Sequence, residues 1–219
     1  MPFKFGNRRI IGQHRAKEQV ERILASERIS HAYLLSGPSG VGKTAFALAL
    51  AEAINGIDHL SDLGEHKESK KSSWFTHPDI HVFIPKPTSA KTEELRDRLQ
   101  LLAKDPYEII SFSHRPSLDD ESSKNLQAFY PIDYFRDDIR PIAKLKPNEG
   151  NRIVIILTQV ETMRKETANA FLKLLEEPSD RLMFILTTES YESLLPTITS
   201  RCQHIPLGTL KDKEVEQGL

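Results

Sequence analysis

The residues Gly37-Pro38-Ser39-Gly40-Val41-Gly42-Lys43-Thr44 fill every fixed position of the phosphate-loop pattern G-x-x-x-x-G-K-S/T. Each residue type has a task there. Glycines let successive backbone N–H groups converge on phosphate oxygens, Lys43 reaches the terminal phosphates, and the Thr44 hydroxyl ligates magnesium carried by the nucleotide. A helix beginning at this point adds a favourable dipole for an anion. Gly37, Ser39, Gly40, Val41, Gly42, Lys43 and Thr44 are therefore the candidate nucleotide-binding residues, with ATP or ADP plus magnesium as the expected ligand. Hydrolysis is a separate question, because it needs groups that the loop does not supply.

Such a loop must be delivered by a strand and carried away by a helix. Ala32-Tyr33-Leu34-Leu35 supplies the first and the Ala-rich run Ala45 to Ala51 the second. Upstream, Gln13 to Ser26 places Ala16, Val20, Ile23 and Leu24 on one helical face. Downstream, Gly56 to Thr76 is polar and without periodicity, a loop; His59, His66, His77, Asp58 and Asp79 match no common zinc spacing and read as solvated. Ile80 to Ile84 predicts a strand, Thr92 to Lys104 a helix with Leu95, Leu99 and Leu102 inward, and Ser111 to Lys124 a loop. Ile132 to Lys144 predicts a helix that Pro141 shortens or kinks. Ile153 to Leu157 and Leu182 to Leu186 are continuous apolar runs suited to strands buried on both faces. Met163 to Glu177 predicts the helix between them, and Cys202 to Leu207 a last short strand. Alternating strands and helices imply an α/β fold, three layers α/β/α around a mainly parallel five-stranded sheet.

Composition bounds the partners. Thirty basic against thirty-one acidic residues leave a net charge of −1, so no global basic field advertises nucleic acid. A single cysteine, Cys202, excludes an internal disulfide and a multi-cysteine zinc site, so no zinc is expected. The apolar runs are strand-sized and the N-terminus lacks a secretory h-region, which predicts a cytoplasmic protein with no membrane partner.

Further segments narrow the class. Ile11-Gly12-Gln13, Ile29 to Leu34 running into the phosphate loop, His77-Pro78-Asp79, Phe171 to Pro178 and Leu195 to Cys202 together resemble the bacterial clamp-loader ATPase-like subunits of the AAA+ class. Within them the chain is most similar to the delta-prime branch of DNA polymerase III, with gamma/tau as near relative. The resemblance covers residues 9–84 and 132–207 and leaves 85–130 as an atypical insertion. It implies an AAA+ domain over 1–207, with 208–219 as the start of a lid domain cut short before the helical collar. It also adds Ile11 to the nucleotide site and places Thr188 or Glu189 at the sensor for the terminal phosphate. Arg201, in Ser200-Arg201-Cys202, would act in trans on a neighbouring subunit's nucleotide.

Departures from the family pattern carry as much weight. Active members end the third strand in two acidic residues; this chain has Thr158 and Gln159. Without those carboxylates neither magnesium nor the attacking water is ordered, so hydrolysis should be negligible. The resemblance thus implies a stator, a monomer in isolation, working in cytoplasmic, nucleoid-associated replication beside gamma/tau and delta subunits and meeting the sliding clamp and primer-template DNA through the complex. A gamma/tau-like motor is the rival within the family. An unrelated small-molecule kinase would leave the segments around Glu176 and Arg201 unexplained.

Overall fold

The computed structural model describes residues 10–26, 28–56, 77–90, 92–104, 107 and 128–218. Five parallel strands form one sheet: β1 (Ala32–Ser36), β2 (Ile80–Phe83), β3 (Ile153–Leu157), β4 (Leu182–Thr188) and β5 (Gln203–Pro206), in the order β2-β3-β4-β1-β5. The apolar runs are continuous because alternate residues feed two different cores. Tyr33, Leu35, Val154, Ile156, Met183 and Ile185 join the layer with helices α1 (His14–Ala25) and α2 (Lys43–Ile54). Leu34, Ile155, Leu157, Phe184 and Leu186 face the opposite layer.

That second layer holds a helix at 132–142, labelled α4 below, together with α5 (Lys165–Glu176) and the short α6 (Pro196–Thr199). Phe171 of α5 anchors it, edge-on to Phe184 at 5.0 Å and to Phe135 at 6.1 Å. Rings so buried contribute about 1.5–3 kcal/mol each. Between the layers in sequence runs α3 (Thr92–Lys104), whose Leu95 and Leu99 are partly buried. The chain closes with α7 (Asp212–Gly218).

Some expectations shift. α4 ends at Ile142, directly after Pro141 and two residues short of Lys144, and the turn before the proline widens into a π turn, Phe135–Ile139, in which the Arg140 N–H reaches back to the Phe135 carbonyl. Proline cannot donate to the carbonyl four residues back, and the wider turn accommodates that loss while burying Phe135 and Ile139. α5 starts at Lys165, after a 3-10 turn at Val160–Thr162. β4 runs two residues beyond Leu186, which places Thr187 and Thr188 within the sheet. The predicted loops 57–76 and 111–124 lie outside the described residues.

His77 and Asp79 are not solvated. They are 3% and 0% exposed, and the Asp79 carboxylate accepts backbone N–H bonds from Asn148 (2.7 Å), Glu149 (2.7 Å) and Gly150 (2.6 Å). Asn55, capping α2, accepts from Asn151 and Arg152. Two side chains thus satisfy the loop that starts β3. The 85–130 excursion is tied at its neck by reciprocal backbone bonds between Lys86 and Phe129. Next to it the buried Tyr130 hydroxyl lies within bonding distance of the Phe83 (2.9 Å) and Thr158 (2.6 Å) carbonyls.

Candidate nucleotide cleft and the arginine edge

The phosphate loop leaves β1 at Ser36 and enters α2 at Lys43, as its spacing requires. Gly40 and Gly42 have φ of 77° and 87°, a region that disfavours any side chain. Gly37 is needed for a different reason: a Cβ there would stand 2.4 Å from the Leu207 carbonyl oxygen, where the chain leaves β5. Pro38, Ser39 and Gly40 are exposed, Val41 is buried, and Thr44 is half-buried in the first turn of α2. Gln13, itself left-handed at φ 54°, fastens the loop from outside: its Nε2 donates to the Val41 and Gly208 carbonyls and its Oε1 accepts from Gly208 N–H.

The Lys43 ammonium is 8% exposed and donates to the Gly37 (2.9 Å) and Pro38 (2.6 Å) carbonyls. The Glu189 carboxylate lies 3.5 Å from it. Burial lowers the Lys43 pKa, and Glu189 with Glu161 offsets only part of that effect. Of the two sensor candidates, then, Glu189 is the one that reaches the lysine. Thr188 is fully buried and its Oγ1 accepts from Ser190 N–H.

The two residues that follow β3 are not acidic. Thr158 is buried, with its Oγ1 3.5 Å from the Phe83 carbonyl, and Gln159, left-handed at φ 50°, donates its N–H to Thr187 Oγ1. The turn that follows swings Glu161 back over the strand ends. Its Oε1 accepts the Glu189 N–H at 3.1 Å, and its Oε2 is buried without a hydrogen-bond partner. Linear spacing from the strand hides this, because the turn at Gln159 reverses direction. The loop and Thr44 are the groups that would hold a polyphosphate and its magnesium ion; Thr158 and Gln159 bring no carboxylate to them, and the acid that follows β3 is Glu161, whose charge acts on Lys43.

Two further residues frame the cleft. The Ile11 N–H donates to the Tyr107 hydroxyl at 2.7 Å, and the Tyr107 ring lies on Gly42. No sequence signal marks Tyr107, one of four aromatics in the 85–130 insertion.

Arg201 stands elsewhere. It precedes β5, whose Gln203 pairs with Tyr33 and whose Pro206 pairs with Ser36, so it sits at the opposite end of the sheet from the phosphate loop. The five residues of β1 rise roughly 16 Å between these two ends, beyond the reach of an arginine side chain. Its guanidinium donates to Glu176 Oε1 (3.0 Å) and the Thr197 carbonyl (3.0 Å). Cys202 beside it is half-buried, and desolvation pushes its thiol up to about 12.

Known proteins share this sequence pattern and this fold. The chain is 27% identical over 208 residues to DNA polymerase III subunit delta' of Bacillus subtilis, covering 94% of this chain and 51% of the relative. It is 30% identical over 180 residues to the delta' subunit of Pseudomonas aeruginosa, covering 79% and 42%. The chain spans about half the length of these curated relatives. Among solved structures, a DNA polymerase III gamma subunit-related protein of Thermotoga maritima superposes with TM-score 0.50 at 20% identity, covering 89% of this chain and 47% of that one. A point mutant of RuvB from the same organism gives TM-score 0.51 at 16% identity, covering 94% and 49%. The fold is that of a P-loop AAA+ protein. The family model described as DNA polymerase III, delta subunit, matches residues 12–112 and 123–211, and the chain belongs to that family.

Proposed function

We propose that this chain is a delta-prime-like clamp-loader subunit of a DNA polymerase III holoenzyme, a stator that donates Arg201 to a neighbour's ATP and turns over little or none itself. The observation that carries this lies just past the strand end: β3 is followed by Thr158 and Gln159, hydrogen-bonded to Phe83 and Thr187 of the neighbouring strands, beside an intact phosphate loop. Binding capacity without an ordered water is what a regulatory or vestigial site looks like. The place of Arg201, at the sheet end away from its own loop, supports a target on another subunit. The proposed partners are gamma/tau and delta subunits, with the clamp and primer-template DNA met through the complex, in the cytoplasm. Among the described residues no helix is long and apolar enough to cross a membrane.

A gamma/tau-like motor is the second reading, and one observation favours it: the unpartnered Glu161 Oε2 near Lys43. Two measurements separate the readings. Phosphate release by this chain alone should stay at background; robust turnover lost on Lys43→Ala would establish the motor. In a reassembled clamp loader with clamp and primed DNA, Arg201→Ala in the full-length subunit should slow the adjoining site by about 10³ or more, as removal of such fingers does. An unchanged rate would reduce Arg201 to a surface residue.

A further inference from the structure

The cleft carries its own substitutes for both ends of a nucleotide. At one flank, a Cβ on Gly42 would lie 2.5 Å from Tyr107 Cε1, so the ring rests directly on the loop backbone, and its hydroxyl takes the Ile11 N–H at 2.7 Å. The ring also packs against the core cluster that includes Val41 and Ala45. At the other flank, the Glu189 carboxylate stands 3.5 Å from the Lys43 ammonium, and its backbone N–H is fixed by Glu161 Oε1. A phosphate-loop ligand runs between such flanks. Its terminal phosphate seeks the lysine, and its base seeks a flat apolar surface with a backbone donor at the rim. An amphipathic aromatic ring and a carboxylate satisfy the same two demands.

We propose that Tyr107 and Glu189 are the specificity-determining residues of this cleft, Tyr107 occupying the place of the nucleoside and Glu189 that of the terminal phosphate. The proposal rests on reading residues 37–44 as a nucleotide site. A nucleoside triphosphate has to displace both groups, while a bare polyphosphate displaces only Glu189. Apparent affinity is the intrinsic affinity scaled by the fraction of molecules in which the relevant group has swung out. The two residues therefore impose separable penalties, one read by the base and one by the phosphate chain.

Titration calorimetry on the full chain with magnesium tests this, using ATP, ADP and inorganic tripolyphosphate as probes, with thermal melts confirming that each variant folds. Tyr107→Ala should tighten ATP and ADP by about tenfold, the worth of one hydrogen bond and a freed ring, and leave tripolyphosphate unchanged. Tyr107→Phe keeps the ring and removes the Ile11 bond, so a smaller gain of about threefold is expected; it stands in should the alanine variant fail to fold. Glu189→Gln should tighten ATP and tripolyphosphate together. Variants that bind no tighter than the parent, while Lys43→Ala abolishes the parent's binding, overturn the proposal and leave the nucleotide site standing. Absence of binding by every chain and every probe overturns the site reading and the proposal together. Neither result touches Arg201, whose assay is on the assembled complex.

Discussion

Asp79→Asn is the sharpest perturbation of the scaffold, because it changes one atom of a buried carboxylate whose partners are all backbone. One oxygen accepts from Asn148, the other from Glu149 and Gly150, at 2.6–2.7 Å. Asparagine can keep the pair on one oxygen, but its amide then faces the Asn148 N–H, donor against donor. Hydrogen bonds to a charged group are worth about 1.5–3 kcal/mol each, so losing one and the charge behind the other two should cost about 3 kcal/mol, and Asp79→Ala about 3–5. Against a total of about 5–15 kcal/mol this is a large share. Burial alone would raise the Asp79 pKa; the bonds from Gly150, Asn148 and Glu149, with His77 nearby, outweigh it and hold the carboxyl below its ordinary 3.8. A folded-state value below the unfolded one contributes stability that is present above the unfolded pKa and lost as pH falls through the folded value. Urea denaturation at neutral pH and across the acid range reads both effects. An asparagine variant within about 0.5 kcal/mol of the parent would refute the reasoning, since a surface substitution costs no more.

Tyr130→Phe removes a buried hydroxyl that bonds the Phe83 and Thr158 carbonyls, so it should cost about 1–3 kcal/mol in the same denaturation assay. Cys202, with its thiol pushed up to about 12 by burial, should react with a disulfide reagent at pH 8 at least about a hundredfold more slowly than a free cysteine, and at the ordinary rate once unfolded. Glu176→Gln breaks an ion pair whose partners are 50% and 35% exposed, so stability should move by no more than about 0.5 kcal/mol. On the proposed reading it unmoors the Arg201 guanidinium and lowers kcat of the assembled clamp loader without changing KM for ATP, which a merely structural pair would not do.

How far the sequence discloses this depends on how local each signal is. The phosphate loop is legible because eight consecutive residues carry its chemistry. β1, β3 and β4 are legible because strands buried on both faces demand unbroken apolar runs, whereas the last two residues of β4, Thr187 and Thr188, look polar and yet pair with Leu35 and Ser36. Asp79 reads as solvated in the sequence, since its true partners are amides of residues 148–150 that no spacing rule connects to it. Tyr107 is invisible for the same reason, its contact with Ile11 bridging 96 positions. The π turn in α4 arises from competition between Pro141 and the burial of Phe135 and Ile139, and periodicity alone shows the conflict without its resolution.

The parallel sheet makes the two proposed activities mechanically independent. The strands are parallel and present their carboxyl ends on the side of the phosphate loop, where Glu189 stands 3.5 Å from Lys43 and Glu161 bonds the Glu189 N–H. Arg201 leaves from the amino end of β5 on the other, anchored by Glu176 at the last position of α5. Changes that remove carboxylates from the first end leave untouched the contacts that hold the second. A chain could therefore lose turnover at its own loop and retain a fixed arginine for a neighbour. The intact loop backbone still has a structural use, because Gln13 ties Val41 to Gly208 and so couples the loop to the segment entering α7. On the proposed reading, that coupling gives the loop a use independent of hydrolysis: its fixed backbone holds the segment that follows the sheet in place, whichever way Tyr107 and Glu189 stand.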